Sequence, residues 1–356
     1  MYPLKLLGVT RSPIWSGKRL VTEWNKSGGE RIGESWELTV RDDGMCKILN
    51  GAYAGEEMSA LLSRAHDAIM GESESSDGFP LLIKLLDAGD KLSVQVHPND
   101  EYAARVENDR GKTEMWYIVE ADEDAEIICG LCDGVGAEEL RSAIESGEVE
   151  SVLLHRRVRA GECYFIPAGL PHAIGKGILI AEIQQSCDLT YRVYDYERRD
   201  QNGRKRELHV KKALDVIRPF SKEEIDAVRF SKASLPLDAG VLADCDYFRV
   251  EEIRLEGDAR MLDLSRRMGH LLCVGGEGVI HSGGEDYSIK RGDGYLLPAS
   301  LQSAVLEGEG VFLFTLAKVH QHSFAPAGIA SSTMMRFSFS SPFSVCTADS
   351  SMPQLS

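Results

Sequence analysis

The 356-residue chain is 43% hydrophobic and 27% charged, long enough to bury a substantial core and composed as folded proteins are. Its formal net charge of -16 argues against nucleic acid or an anionic membrane as partner, yet a few local cations can still admit a phosphorylated small substrate. No apolar run approaches the roughly 18 residues that span a bilayer.

MYPLKLLGVTRS, at the start, lacks the long apolar stretch of a secretory signal. Eight dispersed cysteines read as reduced, mostly buried side chains, which places the expectation in the cytoplasm. Cys129-x-x-Cys132 has no second pair at zinc-knuckle spacing and reads as core. Trp15, Trp24 and Trp36 fall in a turn-broken lead-in and read as packing aromatics. The apolar spacing at 58, 61, 62, 65 and 69 predicts a helix within 54–70.

From 92 to 97, Leu92, Val94 and Val96 alternate with Ser93, Gln95 and His97, a strand pattern that projects the polar three from one face. A strand pair is expected over 115–129, a helix over 137–146, a strand-rich run over 178–194 and a helix over 209–217. The remainder to about 320 is short strands with Gly-rich turns, which points to sandwich or barrel sheets instead of βαβ units. Gly161-x5-Pro167-x-Gly169-x2-His172 is matched in spacing by Gly292-x5-Pro298-x-Ser300-x2-Ser303. Two related β domains follow, one equipped with a histidine and one with serine in its place. The Ser- and Pro-rich tail after Lys318 lacks periodicity, and its His320-x-His322 has no acidic partner nearby in sequence.

Gln95, His97, Glu114 and His172 together make a divalent-metal site of imidazole, carboxylate and amide oxygen, open enough for Lewis-acid chemistry. Lys84, Lys112 and Arg192 lie around it and suit a phosphate. Glu182 and Asp195 are the spare carboxylates that could accept a proton, and spacing does not choose between them.

The segments Gln-Val-His-Pro-Asn-Asp at 95–100, Gly-Lys-Thr-Glu-Met-Trp-Tyr at 111–117, Pro-Ala-Gly-x-Pro-His-Ala-Ile-Gly at 167–175 and Glu-Ile-Gln-Gln-Ser-x-Asp-x-Thr-Tyr-Arg-Val-Tyr-Asp-Tyr at 182–196 resemble type I mannose-6-phosphate isomerases. The short bacterial form, within the cupin superfamily, is the nearest likeness, over about residues 1–320. The resemblance implies a mainly β protein of two jelly-roll (cupin-like) domains with a few short helices. It places the metal domain at 1–210, a degenerate domain without metal at 211–320, and a flexible tail at 321–356. It implies one Zn2+ per chain, held by Gln95, His97, Glu114 and His172, and interconversion of mannose 6-phosphate and fructose 6-phosphate through a cis-enediol. Arg192 is then essential for turnover, and Ser93 and Lys112 line the sugar-phosphate pocket with Lys84 beside them. The resemblance leaves the base open between a zinc-bound water, a nearby histidine and Glu182; Glu182, acting directly or through water, is the preferred reading. The partner expected is a phosphorylated hexose, with no nucleic acid or membrane, and the chain a monomer or weak homodimer. The rivals are a cupin isomerase or epimerase for another sugar phosphate and a non-catalytic sugar-binding regulator, but the complete residue set disfavours both.

Overall fold

Two strands, Leu81–Ala88 and Ile178–Gln185, are buried along their whole length, which a strand achieves only when both faces of its sheet are covered. They are neighbours in a seven-stranded sheet that runs Arg229–Phe230, Cys163–Ile166, Glu114–Ala121, Ile178–Gln185, Leu81–Ala88, Glu34–Leu38, Val9–Arg11. This computed structural model describes residues 1–73, 78–200, 202–230 and 240–318. The expected tail at 321–356, with His322, and His320 just before it lie outside the described residues.

One face of the middle sheet turns Leu81, Ile83, Leu85, Leu179, Ala181 and Ile183 into a core shared with Leu4, Phe248, Leu272, Leu296 and Leu313. Those partners belong to an eight-stranded sheet built from Val241–Asp244, Phe248–Asp263, Ser303–Ala317, Gly269–Ser282, Gly294–Leu297, Leu4–Leu7 and Lys47–Ile48, with Glu285–Lys290 pairing off the path. The other face packs Leu86, Trp116, Ile118, Ile166, Ile178 and Ile180 against Ile127, Cys129 and Ile174. These come from a five-stranded sheet ordered Leu153–Arg157, Glu126–Leu131, His172–Ile174, Val94–Val96, Tyr191–Tyr194. Full burial of each such side chain is worth about 1.5–3 kcal/mol, so polar residues in the two central strands need a reason. Lys84, Asp87, Glu182, Gln184 and Gln185 are those residues, and Lys84 and Glu182 belong to the site described below.

Helices cover the outside. Ala137–Ser146, at the expected bounds, ends on Gly147 in the left-handed conformation (φ 79°). Its Leu140 joins Ala213 and Leu214 of Val210–Val216 against Val94, Val96, Ala173, Tyr191 and Val193 of the five-stranded sheet. The expected helix within 54–70 spans Met58–Met70.

The internal repeat is also structural. Gly161 and Gly292 both take positive φ (84° and 88°). Each is followed two residues on by a four-residue strand, Cys163–Ile166 or Gly294–Leu297, and the next strands begin at His172 and Ser303.

The expected jelly-roll barrels are not found. Each sheet is an open ladder, the eight-stranded one with Glu285–Lys290 as a side branch, and among the described residues no pairing joins the end strands. Facing sheets pack through the side chains of these cores. Closure needs edge-to-edge hydrogen bonding with a consistent stagger, and alternating hydrophobicity with short turns specifies a sheet's faces without specifying whether its edges meet.

Burial makes His270 a titrating liability. It is fully buried in the core between the eight-stranded and middle sheets, and neither ring nitrogen has a hydrogen-bond partner among the described residues. Desolvation, with Lys26 adding to it, lowers its pKa from 6.5 to about 3. The folded state holds the neutral ring while the unfolded chain binds a proton near 6.5, so this contribution is fully present above 6.5 and declines as pH falls toward about 3. The slope is about 1.4 kcal/mol per pH unit for this group. In denaturant unfolding, His270→Leu should lose less stability than the parent as pH is lowered from neutrality; equal losses would contradict this.

Candidate metal centre

Residues directly opposed in an antiparallel ladder share a face, and this register gathers the site. On the five-stranded sheet His172 lies opposite Gln95, and Gln95 opposite Arg192. On the middle sheet Trp36, Lys84, Glu182, Trp116 and Tyr164 form one row across five strands. Glu114 and Gln184 are opposed in the next row. His97 follows Val94–Val96, and Lys112 precedes Glu114–Ala121.

His97, Glu114 and His172 are buried, and their donor atoms all lie within 4.8 Å of one another. The Nδ1 atom of His97 is 2.8 Å from the carbonyl of Leu189, and that of His172 is 2.8 Å from the carbonyl of Leu170. A carbonyl only accepts, so Nδ1 carries the proton in both rings and Nε2 keeps the lone pair. The two Nε2 atoms face each other at 3.1 Å. Glu114 approaches from the side, its Oε2 3.6 Å from His97 Nε2 and its Oε1 3.5 Å from His172 Nε2. The Gln95 side-chain nitrogen is 3.4 Å from His172 Nε2, and turning the amide over puts its oxygen there instead.

Converging lone pairs beside a carboxylate suit a cation. Burial, reinforced by Lys112, holds His97 well below its ordinary pKa. Burial likewise lowers His172 to about 4, so both rings stay neutral donors at neutral pH. Glu114 Oε2 accepts no well-directed hydrogen bond although Lys112 Nζ is 3.1 Å away, which leaves it electron density to offer. The surrounding charge agrees. Lys84 Nζ is 2.9 Å from Asp188, 3.7 Å from Glu34 and 3.8 Å from Glu182, and Lys112 Nζ is 3.8 Å from Glu182. Four carboxylates thus face two ammonium groups, a formal deficit that one divalent cation balances. The donor set fits such an ion: two imidazoles and a carboxylate, each imidazole anchored through its other nitrogen.

Every residue singled out in the sequence can now be placed. Lys84 and Lys112 are buried among the carboxylates. For Lys112, burial lowers the pKa but Glu114 and Glu182 outweigh it, so the net shift is upward. Arg192 is half-buried, donates from Nε to Ser93 Oγ at 3.3 Å and from Nη1 to the carbonyl of Glu207 at 2.7 Å. The two carboxylates left open by spacing are separated by their surroundings. Asp195 is clasped by Arg198 and Arg206, whose hydrogen bonds outweigh burial and hold its pKa low. Burial, then the neighbouring Glu114, raises that of Glu182. Spacing alone did not reveal Glu34, Asp188 or the carbonyls of Leu170 and Leu189. Trp116 had a signal, since it stands two residues after Glu114 on the same strand face. Cys129, buried in the core, and Cys132 are both free thiols.

Comparison with known proteins adds an independent line. Residues 18–134 match the family described as phosphomannose isomerase type I, catalytic domain, and residues 239–317 match mannose-6-phosphate isomerase, cupin domain. Mannose-6-phosphate isomerase ManA of Bacillus subtilis (strain 168) is 42% identical over 309 residues, 86% of this chain and 96% of that protein. Mannose-6-phosphate isomerase of Streptococcus mutans is 39% identical over 310 residues, 86% of this chain and 96% of its own length. The crystal structure of the mannose 6-phosphate isomerase from Bacillus subtilis superposes with a TM-score of 0.79 at 32% identity, covering 88% of this chain and 99% of that one.

If these donors hold a divalent ion, adding zinc to chelator-treated protein should raise the melting temperature, because a ligand that binds the folded state stabilises it. Glu114→Gln should weaken the metal by about 100-fold or more and abolish most of that rise. An unchanged rise in the variant would place the ion elsewhere.

Proposed function

Because the chain belongs to the type I mannose-6-phosphate isomerase family, we propose that the centre formed by His97, Glu114 and His172 beside Glu182 is where its reaction takes place. The chain is an enzyme that interconverts D-mannose 6-phosphate and D-fructose 6-phosphate, an aldose–ketose isomerisation. A proton moves from C2 to C1 of the open-chain sugar while one passes from O2 to O1, through a cis-enediol. The convergence of two neutral imidazoles and a carboxylate next to a carboxyl of raised pKa is the observation that carries the reading.

In this reading His97, His172, Glu114 and the amide oxygen of Gln95 hold one Zn2+ per chain, a preference supported by the imidazole-rich donor set. When bound, the ion supplies Lewis-acid stabilisation of negative charge on the substrate oxygens. Glu182 takes the C2 proton and returns it to C1. Its raised pKa brings acceptance and release closer to balance near neutrality, as general base and then general acid require. Lys84 and Lys112, each 3.8 Å from Glu182 Oε1, steady its anionic form. Arg192, one strand over from Gln95, offers its guanidinium to the enediolate oxygen, with Ser93 orienting it through the Nε contact. Ser93, Lys84 and Lys112 border the sugar-phosphate pocket, and remote binding of the phosphate aligns C1 and C2.

Residues 1–210 carry the chemistry and 211–320 form the degenerate half, in which Ser303 stands where the repeat has His172. No helix among the described residues is long and apolar enough to cross a membrane. The seven described cysteines are free thiols, which supports a cytoplasmic setting.

A coupled assay with mannose 6-phosphate tests the reading. Turnover should vanish with a chelator and return with zinc, and Arg192→Ala should lower kcat by about 100-fold or more. Turnover indifferent to the chelator would overturn the role of the metal, and no turnover with one zinc bound would overturn the site assignment.

A further inference from the structure

One donor group serves both carboxylates of the centre. The indole Nε1–H of Trp116 lies 2.9 Å from Glu114 Oε1 and 3.1 Å from Glu182 Oε2. Sheet register makes this possible: Trp116 follows Glu114 by two residues on its own strand and stands directly opposite Glu182 on the next. The side chain is fully buried, and its ring meets that of His172 edge-on, with centroids 5.3 Å apart and planes at 76°.

For Glu182 this is the shortest of these polar contacts, since both lysines stand off at 3.8 Å. The remaining oxygen of Glu182 faces the lysines, while the remaining oxygen of Glu114 faces Lys112 and His97. A buried donor shared in this way orients each carboxylate and fixes their separation, and a rigid bicyclic side chain has few rotamers with which to relax.

We propose that Trp116 is a positioning residue, whose single N–H sets the proton-transferring carboxylate of Glu182 at a fixed place relative to Glu114 and hence to the metal. The proposal rests on the isomerase reading with Glu182 as base. It assigns to Trp116 a role that packing alone would not require, because any large apolar side chain could fill the space against His172.

Trp116→Phe keeps an aromatic ring and removes the donor. Relative to the parent, kcat of the zinc-loaded variant should fall about 10- to 100-fold with KM changed by less than about threefold, and zinc affinity from chelator competition without substrate should fall about tenfold. A residue that only packs would lower the melting temperature and leave both quantities per folded molecule unchanged. Values within about twofold of the parent would overturn the proposal.

Should the variant fail to fold, the parent supplies the test by nitrogen-15 NMR. Among its four tryptophans, the indole N–H resonance close in space to the His172 ring should sit far downfield and move when zinc is added to the metal-free protein. An ordinary position that ignores zinc would overturn the proposal. Loss of turnover in the parent itself would instead count against the isomerase reading, since the chelator competition and the NMR need no substrate.

Discussion

Two imidazole lone pairs meeting at 3.1 Å beside a buried carboxylate repel one another unless positive charge is shared among them. Much of the surrounding structure serves to impose that arrangement. The carbonyls of Leu170 and Leu189 decide which nitrogen of each ring points inward. The pairing of His172 with Gln95 brings two donors of the five-stranded sheet side by side, and the middle sheet presents Glu114 across from them. A set of donors held in conflict by rigid strands is prepared for an ion before the ion arrives, so binding has little ordering left to do.

The same sheets bring in the chemistry that surrounds the ion. Lys84 and Glu182 are directly opposed on strands filled mainly with aliphatic side chains. Low polarity there strengthens the pull of the carboxylates, which outweighs burial and keeps the protons on Lys84 and Lys112, while burial and Glu114 raise the pKa of Glu182. Trp36 lies under the Lys84 ammonium at 4.7 Å and donates its indole N–H to Glu34 at 2.7 Å, which ties the site's outer edge to the strand Glu34–Leu38. Two tryptophans thus flank the Lys84–Glu182 pair within one row.

Much of this was legible in the chain because it depends on local pattern. Period-two alternation put Gln95 on a definable strand face, and two-residue spacing linked Lys112 to Glu114, whose charged atoms do meet at 3.1 Å. The helix over 137–146 follows from apolar periodicity and a terminal glycine. The repeat around Gly161 and Gly292 reappears as the same turn and strand twice. What escaped depends on pairing between strands distant in sequence. Asp188 matters because it reaches Lys84, 104 residues away, and Glu34 because its strand docks beside Leu81–Ala88. The closed barrels failed for the same reason, since whether end strands pair is settled by geometry that no single strand encodes. Asp195 is a local exception: it looked as able as Glu182 to take a proton until the turn after Tyr191–Tyr194 was seen to fold Arg198 and Arg206 around it.

The most direct measurement follows the transferred atom itself. Mannose 6-phosphate carrying deuterium at C2 would be given to the zinc-loaded parent and to zinc-loaded Glu182→Gln, with loss of label from C2 followed by NMR. The parent should move the deuterium to C1 or to solvent at the rate of turnover. The variant, folded and with its metal retained, should leave it on C2, slower by about 100-fold or more. Release of the label by Glu182→Gln at the parent's rate would contradict the role of Glu182 and require another base at this centre.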